Sequence, residues 1–144
     1  MSRIPRYQEH LKTGFTAEAG SAARYRAYAT RAERDGRPNL ARQWLRLAAE
    51  KDALAIKLLE AAEHVRGEAA DVTAALAEER YENDVLYPKM IRDVDQATAD
   101  ILLQVLDAQK AHLRRLEELR QSLAASTGDI SLPAEVDQGT LAKV

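Results

Sequence analysis

The sequence predicts an all-α protein, an antiparallel four-helix bundle followed by an extended C-terminal tail. Three observations carry this. Ala, Leu, Glu, Arg and Lys dominate, while aromatic residues make up only 5% of the chain, so helix formers far outweigh strand formers. Helix breakers are few and widely spaced: Pro5, Gly36 with Pro38, Gly67, Pro88, then Gly128, Pro133 and Gly139. Between them, apolar residues recur at the three- and four-residue spacing of an amphipathic helix.

Each element follows from these signals. The first helix is expected over 6–34, ending at "RDGRPN", where Gly36 suits a C-cap and Pro38 a first helical turn. The second is expected over 38–64 and the third over 69–94, joined by the longer "HVRGEAADVT". The tight "RDVDQAT" leads to the fourth, over 97–125. Short connections make successive helices antiparallel neighbours. The bundle is therefore expected to span 1–125. Residues 126–144, "ASTGDISLPAEVDQGTLAKV" from its second residue on, break the pattern and read as an extended or disordered tail.

Bulk properties exclude several function classes. The chain has 144 residues, enough for one domain with a real core. Its net charge is −2, and no basic patch with interleaved aromatics suggests nucleic acid. The absence of cysteine excludes disulfides, thiolate metal sites and a cysteine nucleophile. The opening MSRIPRYQEH has no apolar core of a signal peptide, and no apolar run is long enough to span a membrane. A cytoplasmic protein is expected. No Gly-rich phosphate loop is present, and His112 has no serine on a strained turn to activate.

Four stripes are expected to face the bundle axis. They run Phe15, Glu18, Ala22, Tyr25, Ala29, Ala32; Leu40, Trp44, Leu47, Lys51, Leu54, Leu58; Ala75, Glu79, Glu82, Leu86, Met90; and Leu102, Val105, Gln109, His112, Leu116, Leu119, Leu123. Each is apolar at its ends and polar in its middle. Midpoints of antiparallel helices of similar length lie at one level. Glu18, Lys51, Glu79, Glu82, Gln109 and His112 are therefore expected to form a polar layer, with Tyr25 and Tyr81 close enough to donate hydrogen bonds to it. Unpaired buried carboxylates cost several kcal/mol each. Three glutamates against one lysine leave a negative surplus. A metal, shared protons, or an arginine such as Arg24, Arg46 or Arg80 must cover it.

The residues of this layer resemble the rubrerythrin branch of the ferritin-like superfamily over roughly residues 11–123. "LKTGFTAEAGSAARY" is similar to that family's opening helix, with Glu18 at its first metal-binding glutamate. "EERYENDVLYP" resembles its two glutamates three apart followed by an aromatic-Pro pair, which places Glu79 and Glu82 on ligand positions. "QKAHLRRL" resembles the fourth-helix Glu-x-x-His, with His112 at the histidine but Gln109 at the glutamate. "AAEKDALA" stands where the second helix carries the same motif, with Lys51 for the glutamate and Leu54 for the histidine. The resemblance implies two irons that reduce peroxide or oxidise ferrous ion. Both Glu-x-x-His motifs are broken, and Lys51 puts a fixed positive charge where a cation would bind.

The expectation is a degenerate site in a structural or accessory subunit that binds no cofactor. The alternative is a metal-dependent oxidoreductase in iron or oxidative-stress handling, holding iron or another divalent metal on Glu18, Glu79, Glu82 and His112. Bundles of this branch commonly pair, so a homodimer or larger assembly is expected. The tail, with Ile130, Leu132, Val136, Leu141 and Val144, could dock extended on a protein partner; its closing "GTLAKV" resembles the short tails by which ferritin-like cargo binds encapsulin shells.

Overall fold

In the computed structural model, residues 6–132 are described, and their regular structure is entirely helical. The elements are α1 (Arg6–Arg34), α2 (Pro38–Ala61), α3 (Glu68–Tyr81), a π-helical turn (Glu82–Leu86), α4 (Tyr87–Arg92) and α5 (Gln96–Ala125). The all-α expectation holds. Among the described residues no helix is long and apolar enough to cross a membrane.

Within the span expected to form one bundle, the chain makes two compact units, Met1–Arg66 and Gly67–Val144. The first is the hairpin α1–α2. Glu9 in the first turn of α1 and Arg31 and Arg34 in its last complement the helix dipole. Gly36 adopts a left-handed φ of 73°, and Gly36 N–H and Arg37 N–H close onto the Glu33 and Ala32 carbonyls at 3.0 and 2.9 Å. Pro38 then opens α2. That helix ends at Ala61, short of the expected 64. Glu63 takes a left-handed φ of 60°, and its carbonyl accepts from Arg66 Nε at 2.8 Å.

Alanines hold this hairpin together. Ala22, Ala29 and Ala32 of α1, Ala41, Ala48 and Ala55 of α2, and Ala62 just beyond it are each at most 5% exposed. Side chains this small let the helix axes approach closely. Within this hairpin the expected second stripe is split. Leu40, Leu47 and Leu54 are 44%, 42% and 48% exposed, while the alanine following each is buried. Trp44, Lys51 and Leu58 keep their expected place on the inner face, half-buried.

The second unit packs α5 along α3, the π-turn and α4. The expected continuous third helix is thus interrupted. Pro88 lacks an N–H and clashes with a preceding carbonyl, so a regular α-helix cannot run through it. The chain absorbs this by widening one turn: Tyr87 N–H bonds the Glu82 carbonyl, five residues back. The Asn83 side chain steadies the turn by donating to the Glu79 carbonyl at 2.7 Å.

α5 opens on an Asp95 N-cap whose Oδ1 accepts from Thr98 N–H at 3.0 Å. Val72, Leu76, Ala99 and Leu106 form the buried contacts of this unit. Within this unit the α5 stripe is split in the same way. Leu106 is buried and Leu113 half-buried, whereas Val105 and His112 lie on the exposed face next to them. Residues 126–132 continue without helix, Leu132 being 54% exposed. The expectations placed on Val136, Leu141, Val144 and "GTLAKV" lie outside the described residues.

Candidate functional site

In α1–α2, the mid-helix positions of both strands of the hairpin bring Glu18 and Lys51 together. Lys51 Nζ lies 2.8 Å from Glu18 Oε2, with side-chain exposures of 30% and 24%. The two groups form an ion pair that joins the helices of the hairpin. The Glu18 carboxylate holds the Lys51 ammonium above its ordinary range, partly opposed by burial, with a smaller contribution from Tyr25. Tyr25 belongs to an aromatic cluster beside the pair. Its ring centroid is 5.2 Å from Trp44 and 6.1 Å from Tyr28, and Tyr28 meets Trp44 edge-on at 5.1 Å.

In α3–α5, Glu79, Glu82 and Gln109 are half-buried and Asn83 is buried. The Glu82 carboxyl is pushed above the usual carboxylate range, first by burial, then by the charges of Glu79 and Glu78. The Gln109 amide, which donates toward it, pulls the other way. Three acceptors of this group are buried without a hydrogen bond: Glu79 Oε2, Asn83 Oδ1 and Gln109 Oε1. Every unmet group is an acceptor, which marks a place short of positive charge or donors.

The structure thus joins Glu18 to Lys51, and Glu82 to Glu79 and Gln109. Tyr81 is 55% exposed, and His112 is exposed. The three arginines considered as neutralisers are engaged elsewhere: Arg24 with Ser21, Arg46 with Glu50 and Arg80 with Glu117. Asn83 was not anticipated. Its signal in the sequence is its position four residues after Glu79, one turn along the same face, just ahead of Pro88.

Among the described residues no group of three or more His, Asp or Glu is placed to hold a metal ion, and an ammonium already sits on Glu18. Comparison with models of protein families, with characterised proteins and with solved structures finds no match for this chain.

Proposed function

We propose that the chain is a rubrerythrin-like member of the ferritin-like superfamily that has lost its di-iron centre and serves as a structural or accessory subunit without redox chemistry. The observation that carries this is the Lys51–Glu18 pair at 2.8 Å. An amine occupies the carboxylate that the resemblance assigns to a metal. It would have to lose its proton before it could itself ligate a cation, and its partner favours the charged form.

In this reading the two hairpins close into an antiparallel four-helix bundle, and two or more copies assemble. Support comes from their matching registers. In α2 the half-buried positions Trp44, Lys51 and Leu58 are flanked by the exposed Leu40, Leu47 and Leu54. In α5 the half-buried Leu102, Gln109 and Leu116 are flanked by Val105, His112 and Leu119 in the same seven-residue rhythm. Lys51 and Leu54 therefore hold in one hairpin the places that Gln109 and His112 hold in the other.

Elemental analysis of the purified chain tests this. No stoichiometric iron and no peroxide-dependent oxidation of ferrous ion are expected. About two irons per chain with an oxo-bridge absorption band would refute the reading. Replacing Lys51→Glu together with Leu54→His should restore iron binding; a double variant that folds and still takes up no iron would count against the proposed lineage.

A further inference from the structure

The start of α3 and the end of α5 leave a cleft of about 250 Å³ between them, open at the surface. Val72 and Leu123 line it, and Ala69 and Ala124, with one methyl each, leave the space unfilled. Most polar groups around the cleft are already committed. The Thr73 hydroxyl donates to the Ala69 carbonyl at 2.9 Å, and Arg120 reaches Glu117 Oε2 through Nε and Nη2 at 3.2 and 3.1 Å. Glu68 is the exception. It is exposed at the cleft, and its carboxylate meets no cation among the described residues. An apolar side chain with a cation a short distance along the same segment fits both features.

The chain carries such a segment within reach. α5 stops at Ala125, one residue beyond Ala124, and the backbone runs on without helix to Leu132. Residues 133–144, "PAEVDQGTLAKV", lie outside the described residues. Fully extended, the stretch from Ala125 to Leu141 spans about 50 Å, at ~3.3 Å per residue, which is ample to turn back onto the cleft. Charge chooses between its apolar residues. Val136 sits between Glu135 and Asp137, which would bring two more carboxylates up to Glu68. Leu141 is followed by Lys143, the one cation in 126–144. In an extended segment, residues two apart share a face, so Leu141 and Lys143 can address the cleft and its rim together.

We infer that residues 133–144 dock on the chain's own α3–α5 hairpin, Leu141 filling the cleft and Lys143 pairing with Glu68. The inference goes beyond the accessory-subunit reading and uses no residue of the polar layer. It makes the tail a segment held in reserve: a partner that takes the tail must compete with the cleft for Leu141.

The test uses the full chain. It has no cysteine, so Ala69→Cys places a single thiol at the cleft, and the rate at which a small disulfide reagent modifies that thiol reports cover. At an effective concentration on the order of 1 mM for a tethered segment, an intrinsic dissociation constant of about 0.1 mM slows the thiol about tenfold. In this background Leu141→Gln and deletion of residues 133–144 should each restore the fast rate, while Val136→Gln should leave it slow. Glu68→Lys and Lys143→Glu should each speed the reaction by about two- to fivefold, the modest weight of an exposed ion pair. The two together should bring protection back. Circular dichroism establishes that each variant is folded, and Ala124→Cys serves as the reporter should Ala69→Cys not fold. A thiol already fast in the full-length chain would overturn the inference. So would protection that survives the deletion, since something other than the tail then covers the cleft. Protection that rises with protein concentration would overturn it in favour of a second copy's tail.

Discussion

Leu40, Leu47 and Leu54 form an exposed row on α2 that closure of the proposed bundle would cover. In this structure they retain 44%, 42% and 48% of their exposure. Fully burying a leucine is worth about 1.5–3 kcal/mol, so covering the remaining ~45% of each contributes about 0.7–1.3 kcal/mol, or about 2–4 kcal/mol for the row. The triple variant Leu40→Gln, Leu47→Gln, Leu54→Gln removes this term in addition to the burial each leucine already has in the hairpin, glutamine and leucine having nearly equal helix propensity. Urea denaturation followed by circular dichroism should show a loss of about 2–4 kcal/mol beyond that existing burial if the row is covered in solution. Leu45 and Ile56 are as exposed, at 47% and 54%, but lie off this row. Leu45→Gln therefore gives the cost of such partial burial alone, and each row leucine should exceed it by about 0.7–1.3 kcal/mol. Repeating the titration at two protein concentrations separates closure within one chain from cover by a second copy, because only the latter makes the midpoint depend on concentration. A triple variant within about 0.5 kcal/mol of the parent would refute bundle closure through this face.

Three further outcomes follow from the packing and the titrating groups. Exchanging two neighbours, Leu47→Ala with Ala48→Leu, keeps composition but forces a leucine into a position that is 2% exposed; overpacking should cost about 1–3 kcal/mol, read as a lower urea midpoint. Glu82 has a folded-state pKa above its ordinary 4.5, so the folded state binds the proton more tightly than the unfolded chain. Stability should therefore fall as pH rises from 4.5 through the raised value, and Glu82→Gln, measured with chelator present, should flatten that slope and stabilise the chain at neutral pH. Asp95 shows the opposite sign. Its carboxylate is held below the ordinary 3.8 by the Thr98 bonds, so its contribution is present above 3.8 and is lost as pH falls through the lowered value. Asp95→Asn should keep the N-cap and remove that acid-limb dependence, measured as melting temperature against pH.

Helix limits were legible wherever a backbone device marks them. Gly36 with Pro38 ends one helix and starts the next as expected, because left-handed φ and a missing N–H are local properties. The register of α2 was harder to read. Hydropathy ranks leucine above alanine, so Leu40, Leu47 and Leu54 look like the inner row. The hairpin instead places the alanines inside, where a small side chain lets the helices approach, and turns the leucines outward. Trp44, Lys51 and Leu58 are half-buried and belong to either reading. In α5 the same offset separates His112 from Leu113. The π-turn was legible only as the disturbance at Pro88. Which turn widens depends on the Asn83 side chain reaching the Glu79 carbonyl, a contact that periodicity does not encode.

The two hairpins share one plan and resolve its electrostatic problem differently. Each sets glutamate on its first helical segment opposite a polar residue in the middle of its second, with large apolar residues above and below. In α1–α2 the polar residue is Lys51, which brings a full positive charge to a single carboxylate at 2.8 Å and leaves that half neutral. In α3–α5 it is Gln109, which faces two carboxylates and can offer only donors. Having given its amide nitrogen to Glu82, it adds a buried oxygen of its own to those of Glu79 and Asn83. An amide redistributes the shortage of positive charge without removing it, since it carries as many acceptor sites as donors. Among the described residues the carboxylates of this set left without a positive partner therefore lie in α3–α5, and removing Lys51 would leave Glu18 in the same condition.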